Sequence, residues 1–195
     1  MKLILTNFIM NKQNLLLNGY GVNLKRLTHD KIELVRNWRN DPKIQQTMFF
    51  QSYITPEMQE KWFSRINNEN NYYFIVEYKD EEIGLINIKD IDYEEKTGET
   101  GVFIYEDKYL GTDISYRAHL VMFDYIFESL RLDKTYAHIR TDNNIAIRFS
   151  VFLGAFKSEC NSSDTNCETY IITRDSYLSN KNRKRFILKY DKLNK

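Results

Sequence analysis

Lys108-Tyr-Leu-Gly-Thr-Asp-Ile-Ser-Tyr-Arg-Ala118 joins a strand-like run, Thr100 to Tyr105, to a helix-like run, Ile114 to Leu130, through one glycine and several small polar residues. A strand, a glycine turn and a helix in that order aim loop amides and the first helical N–H groups at one point, where the helix dipole favours an anion. A diphosphate is the natural occupant. Ordinary strand-to-helix junctions also use glycine, so the reading of this stretch depends on its surroundings.

Upstream, Glu99 to Tyr105 is the third of three strand-like runs, after Tyr72 to Tyr78 and Glu82 to Ile91, with the Lys79-Asp80-Glu81 connection and the Asp92 to Gly98 turn between them. Links this short imply an antiparallel meander. Val22 to Leu27 alternates as an earlier strand, and the first 18 residues pack as an extra strand or trail beside it. A helix follows, capped by Thr28 or Asp30, with Ile32, Leu34, Val35 and Trp38 as its apolar stripe. Pro42 ends it near Asp41 and suits the first turn of a short segment running towards Met48. Thr55-Pro56 then opens a helix with Met58, Trp62, Phe63 and Ile66 facing inward.

Downstream, Ile114, Ala118, Val121, Met122, Tyr125 and Ile126 recur at the spacing of a helix packed on a sheet. Lys134 to Arg140 reads as a strand with Tyr136, His138 and Arg140 on one face. Asn143 to Leu153 is a short helix with Gly154 at its C-cap, Phe156 to Cys160 and Glu168 to Thr173 form a hairpin, and Arg185 to Tyr190 reads as a last strand. The order predicts an α+β fold: a mixed, mostly antiparallel central sheet with helices on both faces. One domain is expected over residues 1–195, with residues 1–18 and 175–195 as terminal extensions.

Composition narrows the function. With 28 Lys and Arg against 27 Asp and Glu, the net charge of +1 argues against broad capture of nucleic acid or membrane. The one basic run, Lys181-Asn182-Arg183-Lys184-Arg185, reads first as a solvated face. Cys160 and Cys167 are too few and too far apart for a zinc site, and no metal is expected. They flank a polar loop where they could face each other; reduced thiols and a cytoplasmic location are expected, since Lys2 to Met10 is too short to span a bilayer and no cleavage site follows.

With the loop and the strand order in hand, the chain resembles the GCN5-related N-acetyltransferases (GNAT). In that superfamily a loop Gln/Arg-x-x-Gly-x-Gly/Ala follows a strand and binds the pyrophosphate of acetyl-coenzyme A; Lys108, Gly111 and Asp113 stand at its marked places. Asp113 replaces a small residue. A second family block, Asn-x-x-Ala/Ser-Ile-x-Phe-Tyr-x-x-x-Gly-Phe, is matched by Asn143, Ala146, Ile147, Phe149, Ser150 and Gly154, with Ala155 at the final Phe and Phe156 one place later. The resemblance covers roughly Val22 to Thr173. Within it, Trp38-Arg39-Asn40-Asp41-Pro42, Met48, Ile54 and Phe63 are similar to PseH-type enzymes, which acetylate the 4-amino group of a UDP-linked dideoxy amino sugar. Glu99-Thr100-Gly101 is similar to the RimJ/RimL type, which acetylates ribosomal-protein amino termini.

The resemblance implies acetyl-CoA as co-substrate, bound by the backbone of Val102, Phe103, Ile104 and Tyr105 as an added strand, by Leu110, Gly111, Thr112, Asp113, Ile114 and Ser115, and by the amide of Asn143. Direct transfer to an amine needs a base, since the ammonium must lose a proton before it attacks. His138 is the first candidate, at a place where PseH-like proteins carry glutamate, and Glu99 is its rival; each also has a purely structural reading. Ser150 stands where the family places its acid, a tyrosine. Arg39, Asn40, Met48, Phe49, Phe50 and Tyr53 form an aromatic and polar cluster suited to a nucleotide base and diphosphate, or to a peptide terminus. The expected partners are a small-molecule amine, foremost a nucleotide sugar, and a second copy of the chain, with no nucleic acid and no membrane. Amino-terminal acetylation of proteins and a non-catalytic coenzyme A module are the alternatives.

Overall fold

The structure is a computed structural model, and it describes residues 15–158 and 166–193. One eight-stranded sheet runs in the order β1-β2-β3-β4-β5-β6-β8-β7. Its strands are β1 (Leu16–Gly19), β2 (Val22–Arg26), β3 (Tyr72–Tyr78), β4 (Glu81–Asp92), β5 (Thr97–Ile104), β6 (Lys134–Arg140), β7 (Phe156–Ser158) and β8 (Cys167–Thr173). The helices are α1 (Ile32–Asn40), α2 (Pro42–Gln45), α3 (Pro56–Ile66), α4 (Ile114–Asp124), α5 (Asn144–Leu153), α6 (Arg174–Ser179) and α7 (Lys181–Leu193). The expected α+β architecture is therefore present. Every neighbouring strand pair is antiparallel except β5 with β6.

Local chemistry sets these boundaries. Lys79 and Asp80 both take positive φ (50° and 63°), the primed turn whose twist matches the β3–β4 hairpin. Asp41 ends α1 in an extended conformation, as a residue before proline should, and its side chain then caps α2 by accepting from Lys43 N. Thr55 caps α3, and Gly154 (φ 102°) closes α5 in the left-handed region.

The central strands are apolar on both faces because both are covered. Phe74, Val76, Ile86 and Ile88 pack with α4 residues Ala118, Leu120, Val121 and Met122. On the other face Tyr73, Ile75 and Leu85 pack with Val35, Trp38, Phe63 and Ile66 of α1 and α3. The helix after the glycine loop is α-helical only to Asp124; Tyr125–Ser129 forms a wider turn in which Leu130 N donates to Tyr125 O, five residues back.

Two expectations are corrected. Residues 185–190 are not a strand but the middle of α7: Phe186 and Tyr190 stack at 6.0 Å, four residues apart, and Asn180 Oδ1 accepts from Arg183 N at the helix start. Short apolar runs fit either period, and here the helical one won. Met58 is 40% exposed, because the buried stripe of α3 runs through Gln59, Phe63 and Ile66. Leu16–Gly19 forms the edge strand β1; residues 1–14 and Cys160 lie outside the described residues, and Cys167 is buried at the start of β8.

The parallel pair creates the site. β5 meets β6 only through Thr97–Lys134, Gly98–Thr135 and Glu99–Tyr136. Beyond Glu99, β5 stays with β4 as far as Ile104, while β6 stays with β8 as far as Arg140. The two strands part like a wedge, and the facing backbone edge of β5 is left unpaired.

Candidate active site

A cleft of about 1960 Å³ fills the wedge and runs from the glycine loop to the α1–α3 region. At the loop end Gly111 has φ 74°, and a Cβ there would touch nothing within 4 Å, so the residue is glycine for its backbone and the space above it is open. The amides of Gly111, Asp113 and Ser115 donate to no acceptor among the described residues, whereas Thr112 N donates to Tyr109 O and Ile114 N to Thr112 Oγ1. Asp113 does not cap α4; its carboxylate accepts from Arg117 Nη2 at 2.9 Å. That pairing turns the charge of the misfit residue towards a cation and leaves the amide cluster to an anion. Lys108 is held by Glu81 at 2.5 Å and is absent from the lining.

At the apex, Glu99 Oε2 lies 3.0 Å from Lys89 Nζ and 3.4 Å from His138 Nδ1. Alternation puts Lys89, Glu99, Tyr136 and His138 on the sheet face covered by α1 and α3. A bulge between Lys89 and Asp92, with Asp90 at φ 50°, bends β4 there. Burial disfavours the Lys89 charge, yet the Glu99 carboxylate outweighs it and raises the ammonium pKa. Tyr136, raised by burial and then by Glu99, sets its ring 5.3 Å from that of His138.

At the far end Arg39 lines the cleft half-buried, and no carboxylate among the described residues pairs with it; desolvation by burial lowers its pKa. Met48, Phe49 and Phe50 line the same end. Asn40 and Tyr53 do not. The Asn40 carboxamide is spent on Ile54, donating to its carbonyl at 2.9 Å and accepting from its N–H at 2.8 Å, and Tyr53, 63% exposed, accepts from Arg36. Both hold the loop that carries the aromatic residues. Trp62 and Tyr73, with rings 5.1 Å apart, line this end too; Trp62 faces inward as expected and packs on the core beside the cleft.

The remaining expected residues divide in the same way. Val102, Phe103, Ile104, Leu110, Thr112, Asn143 and Ser150 line the cleft; Tyr105 stacks on Trp38 and donates to Asp41, and the side chain of Ile114 is buried. Asn143 caps α5, its Oδ1 accepting from Ala146 N, which leaves its amide N–H groups as the available donors. His119 is a buried part of the wall. Its Nδ1 can only donate to Ser115 O (2.8 Å), so Nε2 is an acceptor, and burial lowers its pKa to about 4. Only the i, i+4 relation to Ser115 could have signalled this.

Comparison with known proteins agrees with this geometry. Residues 22–155 match the model of the acetyltransferase (GNAT) domain family. A spermidine N(1)-acetyltransferase of Escherichia coli (strain K12) is 25% identical over 138 residues, 70% of this chain and 74% of that protein. Among solved structures, a spermidine N-acetyltransferase from Vibrio cholerae, in complex with CoA and spermine, superposes with a TM-score of 0.73 at 20% identity, covering 83% of this chain and 100% of that one. A domain from Methanocaldococcus jannaschii gives 0.68 at 20% identity over 78% and 97%. These likenesses establish the fold. No helix among the described residues is long and apolar enough to cross a membrane.

Proposed function

The chain belongs to the GNAT acetyltransferase family and is an acetyl-CoA-dependent N-acetyltransferase; on that premise we propose that its acceptor is an anionic primary amine, an amino-sugar nucleotide. The 4-amino group of a UDP-linked dideoxy amino sugar is the form implied by the sequence resemblance. Arg39 carries this reading. A half-buried guanidinium without a carboxylate is costly unless a ligand supplies the anion, and its planar fork suits a diphosphate. The aromatic residues around it suit a nucleotide base.

The unpaired β5 edge and the open amides above Gly111 fit the co-substrate, the first as a partner for an amide-bearing chain and the second for a diphosphate. Acetyl-CoA supplies the activated thioester. His138 takes the proton of the attacking amine at Nε2 while its Nδ1–H faces Glu99; the ion pair with Lys89 occupies Glu99 and makes it an orienting group rather than the base. The amine nitrogen bonds to the acetyl carbon, the carbon–sulfur bond breaks, and Ser150 hydrogen-bonds the departing sulfur directly or through one water. Asp113 and Ser150, two departures from the family pattern, motivate the non-catalytic alternative; the first is paired with Arg117.

Polyamine acetylation is the second reading, favoured by the names of the relatives. Charge opposes it. The cleft is lined by Arg39, Lys43, Lys61, Arg65, Lys89, Arg140, Arg185 and Lys189 against Asp90, Glu99, Asp107 and Asp113, an unfavourable surface for a polycation. Coenzyme A release with UDP-amino sugars, spermidine and amino-terminal peptides separates the acceptors. Turnover confined to spermidine or peptides would refute the nucleotide-sugar reading.

A further inference from the structure

The cleft has a wall that the family model does not include. Helix α7 lies C-terminal to the matched residues 22–155, yet Asn182, Arg185, Phe186 and Lys189 line the cleft together with Leu110, Gly111 and Thr112. Their spacing, i, i+3, i+4 and i+7, is one stripe of a helix. Two anchors place that stripe. Near its start, Asn182 Nδ2 donates to Phe152 O at the end of α5 (3.0 Å). At its middle, Phe186 packs edge-on against Tyr116 at 5.3 Å and lies 6.0 Å under the Arg117 guanidinium, so it sits on the first turn of α4, just after the glycine loop.

Two residues on the other side of α7 are held by the rest of the protein. Arg183 donates to Asp124, and Tyr190 packs on Tyr20. Arg185 and Lys189, one turn apart on the cleft side, have no carboxylate partner among the described residues. In a chain of net charge +1 this is a local surplus of cations next to an amide cluster that already suits a diphosphate. Coenzyme A carries one more phosphate, on the 3′ position of its ribose, beyond the diphosphate.

We propose that α7 is a clamp for that 3′-phosphate, with Arg185 and Lys189 as its ligands and Phe186 as the foot that sets the helix on the loop. The inference rests on the acetyl-CoA reading of the cleft. It gives one member of the basic run, Arg185, a binding role, and makes the C-terminal helix part of the co-substrate site.

Titration calorimetry of the full chain with coenzyme A and with 3′-dephospho-coenzyme A tests it. Wild type should bind coenzyme A roughly 10-fold or more tightly than the dephospho form, the scale expected for charge-assisted hydrogen bonds to one phosphate. The double variant Arg185→Ala/Lys189→Ala should lose that preference while its affinity for the dephospho form stays within about twofold. The exchange Arg185→Lys/Lys189→Arg should restore most of it. Equal wild-type affinities, or a double variant weakened equally for both ligands, would overturn the clamp while leaving coenzyme A binding in place. Wild type binding neither ligand would instead overturn the acetyl-CoA reading itself.

Discussion

The apex of the wedge and the ends of the cleft treat charge in opposite ways. At the apex Glu99 has partners on both neighbouring strands, Lys89 of β4 at 3.0 Å and His138 of β6 at 3.4 Å. At one end Arg39, and at the other Arg185 and Lys189, face the cleft with no carboxylate partner among the described residues. Matched charges on adjacent strands fix one geometry, which is what a proton transfer needs. Unmatched cations in a concave surface are held for an anion that arrives from outside. The contrast separates groups for chemistry from groups for binding, and each side of it can be broken on its own.

The largest effect should come from the matched side. His138→Gln removes the proposed base but keeps a hydrogen-bonding side chain, so kcat should fall by about 100-fold or more while coenzyme A affinity stays near normal. Titration calorimetry and steady-state rates check both; a kcat within twofold of wild type would move the base to Glu99 or elsewhere. Arg39→Met tests the unmatched side. It should lower kcat/KM for a diphosphate-bearing amine by about 10- to 100-fold, the range for a hydrogen bond to a charged group, and leave an uncharged amine nearly untouched. An equal loss for both acceptors would make Arg39 a packing residue. Gly111→Val comes third: a β-branched residue at φ 74° is strained by about 1–3 kcal/mol, so acetyl-CoA KM should rise by roughly 10-fold with little change in saturated rate.

How far these groups could be read in the sequence depends on the range of the contacts that make them. Strand alternation, the Thr55-Pro56 cap, the Asp41-Pro42 break and the Gly154 terminus are local, and each stands where the residues implied. The glycine loop is local too, but the fate of Asp113 depended on Arg117 one turn further on, a rotamer choice that spacing allows without requiring. Lys89 could not be read as a partner of Glu99 without the strand register. Asn40 and Tyr53 carry the right chemistry for binding, yet the path of the 46–54 loop turns the first into a clamp and the second outward. Helix α7 is not legible locally because Arg185 to Tyr190, with Phe186, Ile187, Leu188 and Tyr190 as its apolar and aromatic residues, is short enough to satisfy both periods, and only Asn180 and the Phe186–Tyr190 stack decide between them.

The smallest effect on activity concerns a group that is neither matched nor waiting. His119 lies 6% exposed in the wall of the cleft, with Phe149 5.0 Å and Phe123 5.8 Å away ring to ring and one hydrogen bond to Ser115 O. Burial holds its pKa at about 4 against 6.5 for the free side chain, and the Ser115 carbonyl opposes that shift only in part. Between those two values the unfolded chain binds a proton that the folded chain does not. Stability therefore rises with pH across this window and falls as pH drops from 6.5 towards 4, by up to about 1.4 kcal/mol per pH unit. His119→Gln removes the titration while keeping a donor for Ser115. Thermal melts should show the wild type losing stability faster than this variant below pH 6.5, with parallel curves above about pH 7, where neither state of the wild type carries the proton. Parallel curves across the whole range would mean that His119 is protonated alike in both states, and that the wall of the cleft is wetter than its packing implies.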